Sequence, residues 1–205
     1  QGPRLRACGP EITVTGGLGD ERQVHQHRDS FAIVADGPDE ITKIARLCVR
    51  EGVDNIKLNI SGDDHTRTGD LPRTVMSEAE IRAGVTAAHA FQRKVNAHCR
   101  ASESVKRAVR CGVDVIYHCE HADEEALDLL ESVKDRVFVG PAIGLLHAAV
   151  HEAPEGAIPH GIRHGIELGL AAASRVYPEM KKRGIKVVIG GDYGFARTPH
   201  GENAR

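Results

Sequence analysis

The stretch that decides the fold is KVNAHCRASESVKRAVRCGVDVIYHC, which occupies residues 94–119. Residues 94–99 and 113–119 form short, largely apolar runs, whereas the segment between them is amphipathic. Such runs are typical of strands buried on both faces of a parallel sheet, and the segment between them predicts a helix over residues 102–110. The stretch therefore predicts one β-α-β unit with a right-handed crossover.

The same alternation extends in both directions along the chain. The pair Ser77 and Glu80 has the spacing of a capping box, and Gly184 has the position of a helix C-cap. The predicted strands cover residues 5–15, 55–61, 94–99, 113–119, 137–143 and 186–190. The predicted helices cover residues 38–51, a segment that starts at the Ser77 cap, and residues 102–110, 123–134 and 166–183. Residues 147–164 are predicted to be an extended loop over one end of the sheet.

Repeated βα units imply an α/β fold with a parallel sheet. Six units fit either an open doubly wound sheet or most of a (β/α)8 barrel. No GxGxxG follows the first strand, so the dinucleotide-binding form of the open sheet lacks its main support. No linker divides the chain, and residues 1–205 are therefore expected to form one domain.

Composition excludes several classes of function. The 205 residues carry a formal net charge of −2, and aromatic residues make up only 3%, which argues against a nucleic-acid partner. No apolar run is long enough to suggest a membrane span. The five cysteines are odd in number and show no CxxC spacing, which predicts free thiols, a reducing compartment and hence a cytoplasmic protein. A small molecule is the expected partner.

Reactive side chains stand near the ends of four predicted strands. In a (β/α)8 barrel the carboxyl ends of the strands build the active site, so these side chains would meet at one mouth. A lysine within an apolar strand can keep a neutral amine, which reacts with carbon dioxide to give an anionic carbamate. Imidazole and carboxylate groups are common metal ligands. The four residues are Lys57, His98, His118 and Asp192.

The ordinary alternative for each residue is structural. A single histidine at a strand end is more often a hydrogen-bonded structural residue, and a lysine can extend its amine to the end of a barrel. All four side chains, in this order on separate strands, are much less expected by chance.

Five segments resemble the amidohydrolase superfamily, in its prolidase-like and imidazolonepropionase-like branch. Together they extend over nearly the whole chain. They are GVDNIK at residues 52–57, KVNAH at 94–98, GVDVIYH with the later DEEA at 112–118 and 123–126, GIKVVIGGD at 184–192, and PHGENA at 199–204.

The resemblance implies a partial barrel that contains about strands three to eight. The N-terminal strands, with a His-x-His motif, and any flanking β-sandwich would lie outside residues 1–205. The implied reaction is hydrolysis of an amide or related C–N bond, in a dipeptide or N-acyl substrate, by a hydroxide that bridges two metals. The enzyme is also expected to be a homo-oligomer.

The resemblance also implies a role for each site residue. Lys57, once carboxylated, would bridge two divalent metal ions, expected to be zinc, and His98 and His118 would bind the second ion. Asp192 would bind the first ion and act as the general base. Tyr117 and His200 would contact the substrate.

Several residues depart from the family pattern or imitate a ligand. His25 and His27 spell His-x-His, but no apolar strand precedes them, so a surface loop is expected. Arg100 stands where the branch often has a second histidine. The pairs His147 with His151 and His160 with His164 have helical metal-binding spacing, but an exposed loop is the default for both. Cys99 and Cys119 are expected to pack in the core.

Two other functions remain open from the sequence. One is a non-catalytic or incomplete barrel fragment, which an upstream strand ending in His-x-His would argue against. The other is a lactone or phosphoester hydrolase on the same scaffold, which a substrate panel would distinguish.

Overall fold

The computed structural model describes residues 4–20, 30–63, 73–195 and 198–199, and within them it contains a six-stranded sheet and six helices. The strands are β1 (Ile12–Thr13), β2 (Ile33–Val34), β3 (Asn55–Asn59), β4 (Lys94–Cys99), β5 (Val115–His118) and β6 (Phe138–Gly140). The helices are α1 (Gly37–Arg50), α2 (Glu78–Ala90), α3 (Ser102–Cys111), α4 (Glu124–Ser132), α5 (Ile143–His151) and α6 (His160–Lys182).

All strands of the sheet are parallel, in the order β2-β1-β3-β4-β5-β6. Helix α1 contacts α2, α2 contacts α3, and α3 contacts α4, so consecutive helices are neighbours. A doubly wound sheet would divide its helices between two faces, whereas consecutive helices in one layer are the arrangement of a (β/α) barrel. The structure therefore confirms the α/β class and favours the barrel over the open sheet.

The two faces of the sheet differ in chemistry. Ile56 and Leu58 of β3 are buried in one hydrophobic core together with side chains of the surrounding helices. Alternation along a strand then directs Lys57 and Asn59 to the opposite face, inside the barrel. The helix-facing side of the sheet is apolar, and the barrel interior receives the reactive groups.

The predicted helix signals are present in α2. The amide of Ser77 donates to Glu80 Oε2 at 2.8 Å, and the amide of Glu80 donates to Ser77 Oγ at 3.3 Å. This reciprocal capping box satisfies two amide groups that would otherwise lack partners. Gly184 has φ of +71° directly after the last turn of α6, as a glycine C-cap requires.

The prediction was wrong at the edges of the sheet. Only Ile12–Thr13 of residues 5–15 forms a strand, and Ile33–Val34 forms a strand that the sequence pattern missed. Residues 186–190 form no strand and contribute one bridge, between Val139 and Val187. These segments lie at the two sides of the sheet, where fewer neighbours stabilise an extended backbone.

The predicted loop over residues 147–164 was also wrong. Helix α5 extends to His151, and α6 begins at His160. Leu146 and Ala148 of α5 are buried, so tertiary packing stabilises this short apolar helix. Within the described residues, no helix is long and apolar enough to cross a membrane.

Close packing of α2 on the sheet depends on Gly84. A Cβ atom at this position would lie 3.3 Å from both Ile41 Cγ2 and Leu58 Cδ1. We expect Gly84→Val to lower the free energy of unfolding by about 1–3 kcal/mol, because overpacking forces the neighbouring side chains off their rotamers. Urea denaturation measures the change. Ala90→Val on an exposed position of the same helix is the control, and an equal loss there would contradict the packing argument.

A polar cluster around Asp114 stabilises the amino ends of β4 and β5. Asp114 accepts hydrogen bonds from Lys94 Nζ at 2.7 Å and from the Val95 amide at 2.9 Å, and it lies 2.8 Å from His89 Nε2. Burial alone would raise the pKa of Asp114, but these hydrogen bonds outweigh it and hold the pKa below its ordinary value. The ionised carboxylate is therefore stabilised more in the folded state than in the unfolded state.

The lowered pKa of Asp114 sets a direction for acid sensitivity. Its contribution is fully present above the unfolded pKa of about 3.9 and is lost as the pH falls through the lower folded pKa. We expect Asp114→Asn to be less stable than the parent at pH 7, with a shallower loss of stability in acid. Thermal unfolding between pH 7 and pH 3 tests this. Exposed Asp135→Asn is the control, and parallel curves for Asp114→Asn and the parent would refute the linkage.

Candidate metal centre and active site

Two of the predicted ligands, His98 and His118, meet at the carboxyl ends of neighbouring strands. Their ring centroids are 4.4 Å apart with an interplanar angle of 65°. Both residues are only 3% exposed. Adjacent parallel strands therefore bring two imidazoles together in a site that excludes most water.

The environment of His98 keeps its ring neutral. Burial lowers the pKa of His98 to about 4. The positive charges of Arg100 and Lys57 also lower this pKa, whereas the negative charge of Asp63 raises it. The Nε2 atom lies 2.9 Å from the carbonyl oxygen of Gly62. A carbonyl accepts but does not donate, so Nε2 carries the proton and Nδ1 keeps its lone pair. A neutral imidazole with a free lone pair is the form that binds metals.

His118 is neutral for the same reason and has an unpartnered nitrogen. Burial lowers its pKa well below the ordinary value, and the charge of Arg100 adds to that effect. Its Nδ1 atom is buried and has no hydrogen-bond partner. An unpaired buried polar atom normally costs stability, so a ligand or ion that binds there would remove a penalty.

The backbone at the end of β5 is strained. His118 has φ of +72° and Cys119 has φ of +66°, values that cost non-glycine residues about 1–3 kcal/mol each. The Tyr177 hydroxyl of α6 lies 2.8 Å from the His118 carbonyl oxygen and 3.0 Å from the Pro141 carbonyl oxygen, so the two carbonyl groups share its single proton. Tertiary contacts thus hold this turn, which directs the His118 ring towards His98.

Lys57 lies in the middle of β3, on the interior face. Its Nζ atom is 3.4 Å from Glu11 Oε1 and 4.9 Å from the centroid of the Tyr117 ring. The other carboxylate oxygen of Glu11 accepts from Asn59 Nδ2 at 2.7 Å. Tyr117 is half-buried beside these groups, and burial raises the pKa of its phenol. Glu11 could not be recognised from the sequence pattern, because its partner Lys57 lies 46 positions away.

Asp192 follows the segment that forms a single bridge to β6, and it has φ of +57°. Burial raises the pKa of its carboxyl group, while the positive charges of Arg100 and Lys57 oppose that change. The charge of Lys57 also affects the pKa of His98 and of His118. The charge of Lys57 therefore acts on the other three predicted site residues.

Some predicted residues fall outside this cluster. His25, His27 and His200 lie outside the described residues. His147 and His151 share one exposed side of α5, with ring centroids 4.5 Å apart. In the part of the chain that the structure describes, no three His, Cys, Asp or Glu side chains form a metal-binding group. Cys99 and Cys119 are fully buried thiols, as predicted.

A buried ion pair adjoins the histidines. Arg100 and Glu120 have side chains that are 0% exposed, and Arg100 Nη1 donates to Glu120 Oε1. Arg100 Nε also lies 3.0 Å from Asp63 Oδ1. Sequence reasoning identified Arg100 only as a departure from the family pattern and missed both carboxylates. A buried charge needs partners, and that requirement alone could have directed attention to Glu120.

Comparison with known proteins identifies the fold. A solved Xaa-Pro dipeptidase with bound methionine superimposes with a TM-score of 0.85 and 26% identity, over 99% of this chain and 50% of the dipeptidase. A prolidase complexed with N-methylphosphonate-L-proline gives a TM-score of 0.81 and 28% identity, over 93% of this chain and 48% of the prolidase. The structural neighbours of this chain are prolidase-like amidohydrolases.

A curated sequence relative agrees with this result. Ochratoxinase of Aspergillus niger is 30% identical over 146 residues, which are 63% of this chain and 30% of the ochratoxinase. No protein-family model matches the chain. The chain thus spans about half the length of its structural relatives and less of this curated one. The likeness confirms the amidohydrolase resemblance and the partial barrel that the motifs predicted, and it identifies the relatives as hydrolases.

The Tyr177 hydroxyl supplies a test of how the β5 turn is stabilised. We expect Tyr177→Phe to lower the free energy of unfolding by about 1–3 kcal/mol, because two partly buried carbonyl groups lose their donor. Ser174→Ala removes an exposed hydroxyl hydrogen bond from the same helix and is the matched control. Denaturant unfolding of both variants checks this expectation, and equal stabilities would exclude a role for Tyr177 in holding the turn.

Proposed function

We propose that the protein is a metal-dependent hydrolase of an amide or related C–N bond. The observation that carries the proposal is the buried pair His98 and His118 at the carboxyl ends of β4 and β5. Lys57 lies on the interior face of the neighbouring strand β3, and its charge acts on Asp192 as well as on both histidines. Two neutral imidazoles, one with an unpartnered Nδ1, fit a divalent cation, for which imidazole nitrogen is a common ligand.

The charges around the site also favour a cation. Among the described residues, the Glu11 carboxylate lies 3.4 Å from Lys57 Nζ, Asp63 and Glu120 both pair with Arg100, and the charges of Arg100 and Lys57 act on Asp192. Carboxylation of Lys57 would exchange one cation for a further anion. Zinc is the expected metal and two ions the expected number, and the carbamate of Lys57 would be one of their ligands.

Each side chain has a proposed task. His98, His118, carboxylated Lys57 and Asp192 would hold the metal, which would polarise the substrate carbonyl and lower the pKa of attacking water. Asp192 would accept the proton from that water and return it to the leaving nitrogen. Tyr117, half-buried beside Lys57, would contact the substrate, as would His200.

The names of the relatives suggest the substrate class. An Xaa-Pro dipeptidase and a prolidase bound to an N-methylphosphonate derivative of proline are among the neighbours. Dipeptides that end in proline and N-acyl amino acids are therefore the first substrates to assay. Lactones and phosphoesters belong in the same panel, because carboxylated lysine and aspartate do not by themselves select the bond type.

The experiment measures metal content and turnover of the full-length protein. We expect Lys57→Ala to lose metal and activity, with partial recovery on adding short carboxylic acids, and Asp192→Asn to lower kcat by about 10²–10⁴-fold. Lys43→Ala, at an exposed position of α1, is the control. Metal-free preparations that remain active, or unchanged turnover in Lys57→Ala without added acid, would overturn the proposal.

A further inference from the structure

One buried ion pair connects the two strand ends that carry the proposed histidine ligands. Arg100 stands two residues after His98, and Glu120 stands two residues after His118. Both side chains of the pair are 0% exposed. Breaking a fully buried ion pair is strongly destabilising, so the two side chains resist separation. It therefore fixes β4 and β5 relative to one another immediately beyond the ligands.

Arg100 also organises the segment that contacts His98. Its backbone amide donates to Ser61 Oγ at 2.9 Å, and its Nε atom is 3.0 Å from Asp63 Oδ1. Gly62 lies between these two contacts and presents its carbonyl oxygen 2.9 Å from His98 Nε2. Arg100 thus reaches His98 by a second route, through the carbonyl that sets which ring nitrogen is free.

We infer that the Arg100–Glu120 pair is a positioning device for His98 and His118. It sets the separation of the two rings and, through residues 61–63, the tautomer of His98. The inference rests on the proposed function, since it assigns these two residues a task in preparing the metal site. Neither residue is proposed to touch the metal or the substrate.

The chain offers a matched control for general stability. Asp114 precedes β5 and joins β4 to β5 at their amino ends, whereas Glu120 follows β5 and joins the same strands at their carboxyl ends. Asp114→Asn and Glu120→Gln both remove one carboxylate charge from the same pair of strands. A purely structural role would give similar consequences for both variants.

The experiment uses the metal-free full-length protein and Co²⁺ as the probe. Visible absorption of the bound ion reports its affinity and coordination geometry. We expect Glu120→Gln to weaken Co²⁺ binding by about 10–100-fold, as for other groups that orient metal ligands, and to alter the spectrum. Asp114→Asn should lose thermal stability but retain the parental affinity and spectrum. Equal affinity in both variants would overturn the inference.

A metal-free measurement separates this inference from the proposed function. Ring ¹⁵N shifts report the tautomers of His98 and His118 without any ion, and we expect them to change in Glu120→Gln but not in Asp114→Asn. Parental protein that does not bind Co²⁺ would refute the proposed function. Unchanged ring shifts in Glu120→Gln would refute the positioning role alone. If Glu120→Gln does not fold, Asp63→Asn, whose side chain is 19% exposed in the parent, serves in both measurements with the same expected directions.

Discussion

The parallel register of β3, β4 and β5 is the constraint on which the site depends. Asn59 lies opposite His98, and His98 lies opposite Tyr117. Backbone hydrogen bonds set these alignments, so the strands end at nearly the same level and their last side chains converge. Slipping one strand by a single residue would direct its polar groups into the helix-packed core. The apolar residues that alternate with them prevent such a slip.

The charged side chains then determine the chemistry of the site where the strand ends converge. The interior face receives carboxylates and two cations within a largely buried volume, and each charge shifts the pKa of its neighbours. On the other face, apolar side chains of the strands and of the helices pack in one core. The same sheet therefore separates a region that supplies stability from a region that is strained and partly unsatisfied, as reactive sites commonly are.

The centre of the sheet could be predicted from the sequence, and its margins could not. The predicted bounds of β4 agree with the observed strand because it is buried between β3 and β5, so its apolar pattern is undiluted. β1 and β2 contain two residues each, too few to produce a periodic signal. Helix α5 was missed because its apolar residues follow a strand without a break. Tertiary packing, not local preference, determines these elements.

The residues of the candidate site also divide into those that could be predicted from the sequence and those that could not. Lys57, His98, His118 and Asp192 could be selected because each lies in or directly after an apolar run that the sequence pattern identifies. Their partners could not, because Glu11, Asp63 and Glu120 pair with residues distant in the chain. Sequence order says which strand a residue follows, but only the folded register says which charge it faces.

The position of Asp192 differs in kind from that of the other site residues. Lys57 and the two histidines stand on the ladder, whereas the segment before Asp192 is held by one bridge and by the Leu145 amide of α5, which donates to the Gly191 carbonyl at 3.0 Å. The proposed base is thus anchored to a short helix above the mouth. In a barrel of this design, changes in the helix that anchors the proposed base can alter the chemistry. The strands that carry the proposed ligands can stay constant.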